Sequence, residues 1–200
     1  YYAYPAGQAV PGTFPTPAQG FVPPPTAPAY AVRGAIATKY QRLGGAAVLG
    51  EPTMNERGGL VDGGVYQQFR RDGRTTTIYW APGYGATAVK NSGSIGQKWI
   101  GAGREHNYGL PTTDERPVGG GAHQVFRRDG RSTRVLWSAG TGSRAVKLYG
   151  AIGRAWTSAG AERGYGFPVT DEYRYGAEVR QRFSKGHTVH YAAGRTWVTR

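Results

Sequence analysis

The sequence predicts a β-rich α+β repeat protein. It has three units of short helix, Gly-x-Pro loop and β-hairpin, set around a closed pseudo-threefold axis in propeller fashion or along a short arc. Three observations carry that expectation. Phe69, Phe126 and Phe183 recur every 57 residues, and Gln67, Gln124 and Gln181 keep the same interval. An isoleucine and an aromatic residue stand four positions apart ahead of each recurrence. The pentapeptide RRDGR occurs at 70–74 and again at 127–131. A fixed period of this kind marks a chain assembled from similar supersecondary units, so fold and function are read per unit.

Residues 1–30 come first, as an arm. Eight of the 13 prolines fall in the first 33 residues, where Arg33 is the only charged side chain. Such a segment favours polyproline II and lacks the apolar surface to fold alone. It reads as a tether or interdomain linker. The alternative is an arm whose aromatic residues, Tyr1, Tyr2, Tyr4, Phe14, Phe21 and Tyr30, anchor it on its own body or on a neighbouring subunit. The repeat domain is expected over 31–200, with units near 34–91, 92–148 and 149–200.

Within each unit the helix is read from Ile36 and Tyr40, Ile95 and Trp99, and Ile152 and Trp156, since i,i+4 places both side chains on one helical face. Gly44–Gly45, Gly103 and Gly160 follow and suit a left-handed helix cap. LGEP (49–52), YGLP (108–111) and YGFP (165–168) come next. A strand then sets Val65, Gln67 and Phe69 on one face, matched by Ala122, Gln124, Phe126 and by Val179, Gln181, Phe183. Asp-Gly between alternating strands signals a hairpin whose turn needs two positive φ angles; Ser184–His187 replaces it in the third unit. Ile78 and Trp80, Val135 and Trp137, and Val189 and Tyr191 share a face on the return strands, the expected core. Ala88–Lys90, Ala145–Lys147 and Thr196–Val198 form linking strands, and Ala31–Arg33 reads as a fourth copy ahead of the first helix, supplying the strand the first unit lacks.

These motifs, with the upstream Trp and the downstream Gln-x-Phe hairpin, resemble the LGFP tandem repeat over about five-sixths of the chain. The resemblance implies an exported protein of mycolic-acid-bearing actinobacteria, where such repeats lie C-terminal to mycoloyltransferase domains and beside peptidoglycan-lytic ones. It implies a secreted, cell-wall or cell-surface location and a non-catalytic module that attaches to wall polysaccharide, the arabinogalactan–peptidoglycan polymer. The first unit departs from the pattern, with Glu51 in the motif and Tyr40 in place of Trp. If the motif loop contacts ligand, the first unit is the doubtful site. The runner-up is a structural surface protein that self-assembles, its proline-rich arm docking on neighbouring subunits or on another envelope protein.

Composition bounds the chemistry. There is no cysteine, hence no disulfide framework and no thiolate metal site. No apolar run is long enough to span a bilayer. The chain begins at Tyr1 rather than Met, as after removal of a signal peptide. The net charge of +13 attracts polyanions without naming them. Wall polymers with phosphodiester linkages or peptide carboxylates qualify. Nucleic acid is not expected as a partner, because no DNA- or RNA-binding module is present.

The pairs Asn55–Glu56, Asp114–Glu115 and Asp171–Glu172 are each adjacent in sequence, so in extended chain their side chains face opposite sides. They recur in every unit, which suits turn capping better than catalysis. No nucleophile elbow or phosphate loop is present. His187 and His190, three apart on a strand, do not share a metal. No enzyme activity, cofactor or metal is expected. The carbohydrate-contact candidates are Asn107, Tyr108, Leu110, Asp114, Tyr165, Phe167 and Asp171, in loops where a ring can stack on a sugar and polar groups can meet its hydroxyls. The polyanion candidates are the hairpin-tip arginines Arg70, Arg71, Arg74, Arg127, Arg128 and Arg131, which also fit simple solvation.

Overall fold

The computed structural model describes residues 30–200; apart from Tyr30, the expectations for the arm fall outside that range. The first unit contains α1 (Gly34–Arg42), α2 (Gly45–Leu49), β1 (Glu51–Pro52), β2 (Val65–Arg71), β3 (Arg74–Ala81) and β4 (Gly85–Lys90). The second contains α3 (Ser94–Gly101), β5 (Leu110–Pro111), β6 (Arg116–Val118), β7 (Gly121–Arg128), β8 (Arg131–Ser138) and β9 (Gly142–Lys147). The third contains α4 (Ala151–Ser158), α5 (Ala161–Gly164), β10 (Tyr173–Tyr175), β11 (Glu178–Arg182), β12 (Thr188–Ala192) and β13 (Arg195–Thr199). Each unit forms its own antiparallel sheet, and among the described residues no sheet closes into a barrel. No helix among the described residues is long and apolar enough to cross a membrane.

The expected helix stops and turns are present. Gly44, Gly103 and Gly160 have φ of 97°, 93° and 91°, the left-handed conformation that ends a helix. In both RRDGR turns Asp72 and Asp129 have φ of 49°, followed by Gly73 and Gly130 at 75° and 74°. The linking strands, however, are full members of the sheets: β4 pairs β3, and β9 pairs β8. The third unit needs a shift of register. Val189 pairs with Val198 where Ile78 pairs with Ala88 and Val135 with Ala145. The counterpart of Ala88–Lys90 is therefore Val198–Arg200, not Thr196–Val198. Ala31–Arg33 forms no strand, yet the Ala31 carbonyl accepts a bond from Gln67 as Ala88 and Ala145 accept from Gln124 and Gln181.

Phe69, Ile78, Phe126, Val135, Phe183 and Val189 are buried as expected, whereas Trp80 and Trp137 on the same face are half-buried and Tyr191 is 37% exposed. The helix aromatic stacks on the hairpin phenylalanine each time, Tyr40 on Phe69 at 4.6 Å, Trp99 on Phe126 at 5.4 Å and Trp156 on Phe183 at 6.2 Å. The opposite face of the first two sheets is buried too, through Thr77, Tyr79, Ala81 and Val89, and through Leu136 and Val146. The cause is stacking of units. Tyr79 and Val89 share one cluster with Ile95, Trp99, Phe126 and Val135 of the next unit. Leu136 and Val146 share another with Ile152, Trp156, Phe183 and Val189. A third cluster stays within the first unit around Ile36, Tyr40, Phe69 and Ile78. Among the described residues no cluster joins the third unit to the first.

Candidate functional site

The Gly-x-Pro signature is spent on folding. Trp99 Nε1 and Trp156 Nε1 donate to the carbonyls of Gly109 and Gly166 at 3.0 and 2.9 Å, and the Tyr40 hydroxyl makes the same bond to Gly50 at 2.9 Å. Tyrosine at position 40 thus preserves what tryptophan does elsewhere. Pro52 and Pro111 pair opposite Phe69 and Phe126, and Pro168 bridges Phe183. Proline fits there because this short segment is the edge of the sheet. Leu110 is 1% exposed and Phe167 8%, so both are core residues and not loop contacts for a glycan. Asn107 is exposed, and its amide donates to the Ala102 carbonyl at the end of α3.

The aspartates join units. Asp114 Oδ1 accepts the Ala88 N–H at 2.9 Å while Oδ2 pairs with Lys39, both in the preceding unit. Asp171 repeats this with Ala145 N–H at 2.8 Å and Lys98. Glu115 and Glu172 pair with Lys90 and Lys147 at 2.8 and 3.0 Å. The expected acceptance of a backbone N–H is present, but from a neighbouring strand and not from the aspartate's own turn. Asn55 stands where the first unit would carry such an aspartate.

Between the first and second units these groups border an open groove of about 850 Å³. Leu43, Val48 and Leu49 form its apolar wall, with Val48 60% exposed. Arg71, Arg74, Lys90, Asp114 and Glu115 form its polar side. At the second junction Tyr108 and Tyr149 replace Leu49 and Ser92. Tyr108 lies half-buried beside the Asp171–Glu172 clasp. Burial, reinforced by the charge of Asp171, pushes its hydroxyl up to about 12. The structure therefore brings Tyr108 and Asp171 together and sets Asp114 on the wall of the first groove. Tyr165 goes elsewhere, stacking on His187 at 4.5 Å.

Five of the six hairpin-tip arginines are exposed and Arg128 is half-buried. Arg71 and Arg128 lie 3.3 and 3.4 Å from Asp72 and Asp129, so each tip carries less net charge than its arginines suggest.

Sequence reasoning missed the outer face of the third sheet. His190 Nδ1 meets Glu178 Oε2 and its Nε2 meets Thr199 Oγ1, both at 2.9 Å. Its ring stacks on Trp197 at 5.1 Å and 12°. Arg180 Nε donates to the same Glu178 at 2.7 Å, and its guanidinium lies 3.8 Å from the Tyr175 ring centre. Arg180 first, then His190, holds the Glu178 carboxyl below its ordinary value. The Glu178–His190–Thr199 connectivity is that of a hydrolase relay. The acid is shared with arginine and the hydroxyl sits on an exposed edge strand, and the bonds hold the His190 imidazole between Glu178 and Thr199. A signal existed in the sequence: His190 occupies the place of Tyr79 and Leu136, which the next unit buries.

No curated protein matches the chain. The sequence model of the LGFP repeat matches residues 49–106 and 109–164. Each match begins at the Gly-x-Pro motif and runs beyond the first helix of the following unit, past α3 to His106 and past α4 to the end of α5 at Gly164. That frame takes in one sheet and the helix of the following unit that packs against its outer face. Membership is consistent with a cell-surface repeat module. With more than half of its length matched, this chain belongs to the LGFP repeat family.

Proposed function

We propose that this chain is a non-catalytic attachment module of the cell envelope, secreted to the wall, where it holds polysaccharide of the arabinogalactan–peptidoglycan type. The observation that carries this reading is the open groove at the first junction, where an apolar wall faces arginine, lysine and carboxylate side chains. Apolar surface beside a few polar groups is the usual lining of a ligand cleft. The net charge of +13 favours polymers bearing phosphodiester or carboxylate groups. Several shallow contacts on a body of three stacked units would add by avidity on a repeating polymer. Of the loop candidates, Tyr108, Asp114 and Asp171 remain as groups bordering the junctions, and the hairpin-tip arginines as the charged rim.

The test is co-sedimentation of the full chain with purified arabinogalactan–peptidoglycan at low and moderate salt, beside Arg74→Glu and Lys90→Glu variants. Binding that survives moderate salt and weakens in both variants is expected. Absence of binding by the unmodified chain sinks the reading. Equal or tighter binding to duplex nucleic acid would replace it.

A further inference from the structure

The third sheet differs from the other two in what covers it. Residues that face outward on the first two sheets are packed under the following unit. On the third, Tyr175 is 61% exposed and Trp197 38%. The register sets Tyr173, Arg180, His190 and Trp197 directly opposite one another, one from each of the four strands. At the usual strand spacing this row is about 14 Å long.

We propose that this face is a second binding site, a flat platform for an anionic polysaccharide; the proposal rests on the wall-attachment reading and names a site for it. Trp and Tyr rings can stack on the C–H faces of sugars, and arginine takes phosphate or carboxylate in a forked geometry. Charge selects the ligand. The strand alternation puts Arg180, Arg182 and Arg195 on this face against the single acid Glu178, which is neutralised by Arg180. The platform is already held in shape. His190 is fixed at both ring nitrogens and backs the Trp197 ring, so little order is lost on binding.

A second copy of the chain continuing the stack is a poorer occupant. At the opposite end the Ala31 carbonyl already takes the Gln67 bond that an incoming strand would need. Both halves of the aspartate–lysine clasp are also missing there, with Asn55 in place of aspartate and Ala155 in place of Lys39 and Lys98.

The experiment uses the full chain, with titration calorimetry against purified wall polymer, a uronic-acid homopolymer, a neutral galactan and single-stranded DNA. Trp197→Ala and Trp197→Phe are compared with the unmodified protein, thermal melting serving as the fold control for these exposed changes. Expected are binding to wall polymer and to the uronic-acid polymer, loss of about tenfold in affinity in Trp197→Ala, and retention of most of it in Trp197→Phe. Wall binding unchanged in Trp197→Ala overturns the platform and leaves wall attachment standing. No wall binding by the unmodified chain overturns both. Equal affinity for the neutral galactan, or a preference for single-stranded DNA, overturns the anionic-glycan assignment.

Discussion

Gln124 Nε2 donates to the carbonyl of Ala88, 36 residues earlier in the preceding unit, at 2.9 Å. The same nitrogen donates to Thr113 at 2.8 Å, tying the loop before its own sheet to the neighbour's last strand. Gln67 does this with Ala31 and Met54, and Gln181 with Ala145 and Thr170. Gln124 is 1% exposed, so glutamate there sets a carboxylate against two buried carbonyls. Gln124→Glu is expected to destabilise the protein by about 2–3 kcal/mol, the cost of stranding buried polar groups, and denaturant unfolding measures it.

Gly109 has φ of 83°, and a Cβ built on it would lie 1.8 Å from the Arg127 carbonyl oxygen. That neighbour is sheet backbone and cannot step aside. Gly109→Ala is expected to cost about 3 kcal/mol or more, from strain at positive φ plus displacement of β5. Gly73→Ala is the control. It too has positive φ, 75°, but no atom within 4 Å, so only the backbone strain remains, about 1–2 kcal/mol. Equal losses in paired melts would show that close approach is not what requires glycine at position 109.

Asp114 carries two unit-joining contacts and Lys39 only one. Asp114→Ala leaves the Ala88 N–H and the largely buried Lys39 side chain without their acceptor, an expected loss of about 1–3 kcal/mol. Lys39→Ala should cost less, because Asp114 keeps its N–H bond. A double-mutant cycle should return a coupling energy of about 1 kcal/mol; a value near zero would mean that the ion pair adds nothing at this junction.

Alkaline pH should weaken the fold. Burial raises the hydroxyl of Tyr79 and, up to about 12, that of Tyr108 above the ordinary 10.0. Above pH 10 the unfolded chain therefore loses protons that the folded chain retains. Their contribution is complete below pH 10 and declines as pH rises toward 12. Stability measured between pH 9 and pH 12 should fall, and Tyr108→Phe should flatten that fall. An unchanged slope in Tyr108→Phe would argue against the burial of its hydroxyl.

Much of the unit was legible because its signals are local. The i,i+4 pair of Ile95 and Trp99, the glycine stop at Gly103 and the Asp129–Gly130 turn each depend on a few adjacent residues, and each is where the sequence puts it. The role of Leu110 was not legible. A leucine in a short loop looks available to ligand until β7 closes over it. Asp114 was half legible: its acceptance of a backbone N–H follows from its chemistry, while the donor lies in another unit.

By itself the sequence determined the period, the order of helix, motif and hairpin in each unit, and the inward faces of the strands, because backbone geometry converts spacing directly into direction. The tertiary structure alone decided how units meet. Stacking buries the second face of the first two sheets, turns a recurring acid pair into a clasp, opens a groove where Leu49 and Ser92 replace two tyrosines, and leaves Tyr175 and Trp197 exposed on the third sheet's outer face. Those outcomes depend on which surface lies against which, and contacts 25 to 75 residues apart, such as Glu115 with Lys90 and Asp114 with Lys39, leave no mark in local spacing.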